Sequence, residues 1–545
     1  MEFFNPQNIH LYIAIFLSVL NGGVLCFSSS KFLQIIQQSG YHVSGYMSWL
    51  RGTRYKYLSR LFVLSLLSVA CSLVTNSLFD VYHSQAIYSY LGLIFYFYFS
   101  GSFILNLVKE PNKTPLVKTK RITRTLTALF IVYTLVTFAL IALSTEYFKL
   151  LRFGIITLTP VLVPFVVVLV FWLLYPIEKL INIYYISKAK RKLKKSKDLV
   201  RIGITGSYAK TTNKFILTTM LSKKYKTLCS PHSYNTPLGL TRTILQDLDE
   251  TIQVFVAEMG AKKKGEINEL CKLVDPDHAL LTGIGSQHLE SFKSEENIVQ
   301  TKKELADWVD AKGGYVVYNG ENQKCKTLFE QSSNQNKILA GTNQSFCFAT
   351  DVVATSKGIQ FNLILDGKSL QCQTKLLGEY NLQNICMCAS LAFKLGVSPN
   401  QIKSAIKSLS PAEHRMQLIP SGKNVVIDDS FNASAEGCQA ALETVKLFDG
   451  YSKVIITPGI VEMGKYETET NFNFGKQIAS ICDYVIIVND VNKQSISQGL
   501  EKNNFDMEKV FCVENLEKAK EKITELKLEN SVILFENDLP DLFSY

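Results

Sequence analysis

Five apolar runs in the first third of the chain limit its possible folds more than any other feature. They cover Ile9–Phe27, Leu61–Phe79, Ala86–Val108, Ala128–Ser144 and Phe153–Ile181, the fourth being the shortest. In hydrocarbon no water is at hand for a backbone N–H or C=O. A run of about 20 apolar residues must therefore satisfy its own backbone as a helix. The sequence thus predicts an α-helical membrane domain over residues 1–186. The first run does not read as a cleaved leader: its opening ten residues hold Glu2 and no Lys or Arg, and no small-x-small site follows.

Charge between the runs sets an orientation. Lys31, Arg51, Arg54, Lys56 and Arg60 lie in the first long loop, and Lys109, Lys113, Lys118, Lys120, Arg121 and Arg124 in the third. The loops around Asp80–Gln85 and Thr145–Arg152 carry little positive charge. The positive-inside rule puts the N-terminus outside and the large C-terminal part in the cytoplasm. Pro160, Pro164 and Pro176 are expected to kink the fifth helix. Residues 187–198 read as a basic linker, with Lys188, Lys190, Arg191, Lys192, Lys194, Lys195 and Lys197 resting on anionic lipid. Trp172, Tyr175, Tyr184 and Tyr185 suit an interfacial aromatic belt, and the reading favours a lipid bilayer over nucleic acid as the partner of the basic run. Ionisable residues are few in the apolar runs, which argues against a transport pathway.

Beyond Asp198 the composition turns globular. The 12 cysteines form no C-x-x-C pair, so neither a metal cluster nor a disulfide framework is expected, as suits reducing cytoplasm. Strand-like and helix-like segments alternate from Leu199 to about Leu409, and again from Asn424 onward. Period-two alternation between Asn343 and Lys375 suggests added antiparallel strands. This order predicts a central α/β domain over 199–412 and a second doubly wound domain over 413–545, with a boundary near Ser410–Gly422 marked by Pro411, Pro420 and Gly422.

Between the first strand and its helix lies Gly203-Ile204-Thr205-Gly206-Ser207-Tyr208-Ala209-Lys210-Thr211-Thr212. Such a turn aims backbone N–H groups and a helix N-terminus at one point, which favours a phosphate. Lys210 would reach the outer phosphates and the Thr211 hydroxyl would bind Mg2+. The spacing follows G-x-x-G-x-x-(G/A)-K-T rather than the standard phosphate loop. Read alone, it is also compatible with an ordinary glycine-bearing turn.

The loop resembles the ATP loop of the Mur ligases, which join an amine to a carboxylate in bacterial cell-wall synthesis. Further stretches resemble the type that adds D-alanyl-D-alanine (MurF-like): Ser233–Gly239, Ala257–Ala261, Gly265–Ile267, Gly285–Phe292, Lys302–Leu305, Gly378–Asn384, His414–Met416 and Asp428–Ala433. The likeness runs from Leu199 to the mid-400s, and loosely over the last 80 residues. It implies a P-loop ATPase domain followed by a Rossmann-like domain, and an ATP-dependent ligase acting through an acyl phosphate. It also implies one or two Mg2+ ions, and as partners a carboxylate-bearing envelope precursor and an amine; the apolar runs add a place at the bacterial cell membrane.

The resemblance assigns ATP to Gly203, Gly206, Ser207, Ala209, Lys210, Thr211 and Thr212, with Asn384, Arg415, Asp429 and Asn432 contributing from further along the chain. Metal falls to Thr211, Glu258 and His288, and catalysis to Lys210, His288 and Lys302. Glu258 is otherwise a surface residue at a strand end, and His288 a structural histidine. The resemblance implies carbamylation of Lys302. Without that change, Lys302 could bind phosphate or be a solvated helix residue. Asn381 could contact nucleotide or cap its helix, and Asp428 could exchange roles with Asp429. Departures from the family pattern are Ala209 for a glycine, Tyr380 for a histidine, Ala435 for a proline, and Glu536-Asn537-Asp538 for Lys-Gly-Ser. Membrane helices also stand where the family grips a uridine nucleotide. These departures keep two alternatives open: a ligase for another envelope amide such as a polyglutamate-like capsule, and a nucleotide-binding membrane sensor or scaffold.

Overall fold

The computed structural model describes residues 6–52, 59–63, 65–67, 70, 96–101, 115–143, 149–431 and 433–539. The chain divides into two compact units, one built on Met1–Ile181 and the other on Asn182–Asp538.

The first unit is helical. Among the described residues three segments are long and apolar enough to cross a membrane, by length and composition: Leu11–Gln38, Lys120–Ala142 and Thr159–Lys195. These answer to the first, fourth and fifth expected runs. The second and third runs lie mostly outside the described residues. Some buried polar groups among these helices satisfy one another, which offsets the cost of burying them. Asn21 donates to Thr137 Oγ1 (2.9 Å) and accepts from the Tyr96 hydroxyl (2.7 Å). Arg124 forks onto buried Glu178 at 2.7 and 2.8 Å.

Helix Lys149–Lys195 runs through all three prolines and through most of the expected linker. The basic stretch is therefore helical as far as Lys195. Its apolar stripe explains why: Ala189 and Leu193 are buried against Leu240, Ile244 and Leu248 of the second unit, and Lys192 Nζ donates to the Leu245 carbonyl (3.1 Å).

The second unit holds two lobes, each around one sheet. Strands β1 (Val200–Thr205), β2 (Thr227–Cys229), β3 (Val254–Glu258), β4 (His278–Leu281), β5 (Val316–Asn319), β6 (Lys337–Ala340), β7 (Cys347–Thr355), β8 (Gly358–Leu365) and β9 (Lys368–Thr374) form the first, in the order β2-β3-β1-β4-β5-β6-β7-β8-β9. It is parallel from β2 to β7, and β7-β8-β9 is antiparallel, where the period-two pattern lies. β1 has β3 on one side and β4 on the other, so the chain reverses direction there and opens a crevice at the strand C-termini. Four-residue apolar runs such as His278–Leu281 suffice because both faces of the sheet are covered by helices.

The second sheet, β10 (Gln417–Ser421), β11 (Asn424–Asp429), β12 (Ser452–Thr457), β13 (Tyr484–Val488), β14 (Val510–Val513) and β15 (Ser531–Glu536), runs β10-β11-β15-β12-β13-β14. The sequence reading started this domain's strands at Asn424 and did not include β10. It pairs antiparallel with β11 at the sheet edge, where Pro420 is tolerated because one side needs no donor.

Candidate active site

The loop leaving β1 is fixed from below before any ligand arrives. Thr205 Oγ1 donates to the Met259 carbonyl (2.8 Å), Ser207 Oγ to Gly285 O (3.0 Å), and Thr282 Oγ1 to Tyr208 O (2.5 Å). Gly206 has no room for a side chain: a Cβ would sit 2.0 Å from Thr282 Oγ1. Gly203 is equally tight, with Leu305 at 2.7 Å. Ala209 takes φ 59°, ψ 8°, the left-handed conformation that a glycine adopts freely. An L-residue there costs about 1 kcal/mol. Ala209→Gly is therefore expected to raise the melting temperature by about 1–3 °C despite the looser unfolded chain. Differential scanning fluorimetry measures this, and an unchanged or lower value refutes it.

Lys210 begins the helix Lys210–Leu221, and its ammonium donates back to Gly206 O and Ser207 O, both at 2.9 Å. Burial brings its pKa down to about 8; Arg415 pushes the same way and Glu258 opposes. Its charge likewise lowers the pKa values of His288 and Lys302. Glu258, His288, Lys302 and Arg415, which span both lobes, thus lie within electrostatic reach of one ammonium.

Glu258 ends β3 with its side chain 1 % exposed. Thr211 Oγ1 donates to its Oε2 (3.0 Å) and Asn235 Nδ2 to its Oε1 (3.1 Å). Lys214, one turn beyond Lys210 and fully buried, places Nζ 3.2 Å from the same Oε2 and donates to the His232 carbonyl. A hydroxyl and a carboxylate side by side form a hard-oxygen donor set that fits Mg2+, which takes one or two carboxylates and completes its shell with phosphates and water. Among the described residues no cluster of three or more His, Cys, Asp and Glu side chains could hold a metal ion.

Lys302 sits 2 % exposed in the helix Glu295–Asp310, with Nζ 5.8 Å from the Phe292 ring centroid. Burial and then Lys210 bring its pKa down to about 7, against Glu266 and Glu304. His288 stands in the left-handed region (φ 59°) just before the short helix Leu289–Phe292. Its Nδ1 bonds Glu462 Oε2, a residue of the other lobe, and Lys262 Nζ holds Glu462 Oε1 at 2.8 Å. Burial lowers the His288 pKa, with Glu462 opposing. Burial alone would raise Glu462, but His288 and Lys262 bring it to about 2.

Asn384 is buried and accepts from Asn213 Nδ2 (2.7 Å), tying helix Tyr380–Lys394 to the loop's helix. Asn381 Nδ2 donates to Leu377 O (2.7 Å). In the second lobe Arg415 lies 4.6 Å from the Phe431 ring centroid. Asp429 accepts from Met416 N (3.2 Å), and burial raises it to about 6 against the pull of Arg415. Asp428 is engaged by His414 Nδ1 (2.7 Å) and Ser430 Oγ (2.6 Å), which separates its role from that of Asp429. Beside Asp429, at the end of β15, Glu536 is buried and raised by burial and then by Asp429. Asn432 lies outside the described residues. The sequence reading missed Lys214, Asn235 and Glu462 as site residues.

Comparison with known proteins agrees with this architecture. Residues 204–392 match the Mur ligase middle domain, and residues 414–536 the Mur ligase, glutamate ligase domain. The UDP-N-acetylmuramoyl-tripeptide–D-alanyl-D-alanine ligase of Bacillus subtilis is 28% identical over 269 residues, covering 49% of this chain and 57% of that protein. That of Haemophilus influenzae is 28% identical over 282 residues, 51% of this chain and 61% of its own length. The chain thus spans under two thirds of these relatives. In fold it is similar to MurF from Acinetobacter baumannii, with a TM-score of 0.59 and 23% identity over 66% of this chain and 77% of that one. It is equally similar to the MurF ligase of Thermotoga maritima in complex with ADP, with a TM-score of 0.59 and 22% identity over 66% and 81%. The two matched domains account for more than half of the 545 residues, and the chain belongs to the Mur ligase family.

Proposed function

We propose that this chain is an ATP- and Mg2+-dependent carboxylate–amine ligase of MurF-like type, which forms an amide on a cell-wall or envelope precursor. The convergence of Glu258, His288, Lys302 and Arg415 on the Lys210 ammonium carries the reading. A carboxylate is a poor electrophile, and phosphorylation by ATP makes it an acyl phosphate that an amine can attack. The loop amides and Lys210 hold the triphosphate; Lys210 exchanges its two carbonyl partners for phosphate oxygens. Thr211 and Glu258 would hold Mg2+, which offsets charge on the transferring phosphoryl group. His288 would stand by a second ion. Arg415 closes on the phosphates from the other lobe, and Asp429 holds a ribose hydroxyl. The apolar helices anchor the enzyme in the bacterial cell membrane, with the ligase lobes in the cytoplasm. The acid it takes is an envelope precursor brought close by that anchor. The test is ADP release by the full-length protein, given the muramoyl tripeptide and D-alanyl-D-alanine named for the relatives, or lipid-linked precursors. No ADP above background with any pair overturns the ligase reading.

The amine of Lys302 is suited to carbamylation, because CO2 reacts with neutral amine. With a pKa of about 7, the neutral fraction rises with pH, from about a tenth at pH 6 to about nine-tenths at pH 8. With 13C-bicarbonate, a carbamate carbon resonance is expected to be much stronger at pH 8 than at pH 6, and absent in Lys302→Arg. An ordinary solvated lysine would give none at either pH.

A second reading concerns the substrate pair. Glu536 puts a buried acid at the end of β15, where the resemblance implies a lysine. That inversion favours an amide other than the one formed by the relatives.

A further inference from the structure

Glu462 joins three segments that the sequence keeps far apart. β3 and β4 are the two neighbours of β1, and the loops leaving them carry Lys262 and His288. Glu462 leaves β12 of the second lobe and engages both, one through each carboxylate oxygen. The surrounding loops are packed together: a Cβ on Gly464 would lie 3.5 Å from the Glu290 Cα. His288 and Glu462 both hold left-handed backbone, at φ 59° and 65°. Glu462 is 26 % exposed and Lys262 55 %. Backbone strain at two residues exceeds what a part-exposed ion pair returns, so the contact is not there for stability alone.

Glu462 engages the Nδ1 edge of the ring, which leaves the Nε2 edge to face a metal or its bound water. The ring is oriented by a residue of the opposite lobe, so the orientation exists only while the lobes are docked.

We propose that Glu462 is the positioning residue that makes His288 competent to receive a divalent cation, and that docking of the second lobe thereby completes the metal site. The inference rests on the ligase reading above.

The test uses full-length protein loaded with a non-hydrolysable ATP analogue and titrated with Mn2+, read by electron paramagnetic resonance. Glu462→Gln is expected to weaken one class of bound Mn2+ by about 10–100-fold, with nucleotide affinity unchanged. His288→Gln should weaken the same class, and the double variant should lose no more than either single one. Lys262→Met removes the other partner of Glu462 and is expected to leave both classes within about threefold, since the imidazole keeps its orienting carboxylate. Native Mn2+ binding in Glu462→Gln, or an equal loss in Lys262→Met, overturns the inference and leaves the ligase reading standing. A native protein that binds no nucleotide overturns both.

Discussion

Lys210→Ala is expected to lower ADP release by about 10²–10³-fold, the usual cost of deleting one preorganised donor to developing charge. The same change should leave the folded protein no less stable. In the free protein the ammonium is buried and its pKa is held down to about 8, so burying it costs rather than contributes stability. Its partners are two loop carbonyls at 2.9 Å, which water can serve once the side chain is gone. A phosphate beside Lys210 restores the charged form and raises the pKa. The sign is then fixed: at pH 8 the native protein takes up about half a proton more than the alanine variant as nucleotide binds. Calorimetry in two buffers of different ionisation enthalpy reads this uptake. Equal ADP release from both proteins would show that Lys210 is not in the reacting centre, and would favour a nucleotide sensor.

Much of this centre could be read from sequence because its parts are local. Gly203 to Thr212 is one turn whose spacing alone implies a phosphate, and Glu258 follows an apolar run that ends where β3 ends. Lys214 could have been found in the same way. It is four residues past Lys210, on the same helical face, and a second lysine there needs an anion to be buried. Glu462 could not. It is 174 residues from His288, in a loop whose own sequence implies only a turn. β10 was missed for a different reason. Pro420 is a reliable break inside a sheet, but an edge strand with one free side accepts it. The helical form of the basic run near Lys192 was harder to read, because its charges are conspicuous and its stripe of Ile186, Ala189 and Leu193, packed against the first lobe, is not.

Lys214→Met is expected to be the most destabilising change at the site, at about 3–5 kcal/mol. Lys214 and Glu258 are 0 % and 1 % exposed, so neither charge has water to fall back on. Thr211 and Asn235 still donate to the carboxylate, but neutral donors do not replace a cation 3.2 Å away. The melting temperature should fall by about 5–10 °C. Three comparisons separate the ion pair from a simple loss of packing. Glu258→Gln alone should also destabilise, because it strands the ammonium. The double variant Lys214→Met/Glu258→Gln should recover more than half of the loss, since no uncompensated charge remains. Mg2+ with ATP should raise the melting temperature of Lys214→Met by more than it raises that of the native protein, because the metal supplies beside Glu258 the positive charge that the lysine no longer gives. Additive losses in the double variant would mean that Lys214 serves packing only. An equal gain from Mg2+ and ATP in both proteins would mean that the metal does not share Glu258 with Lys214.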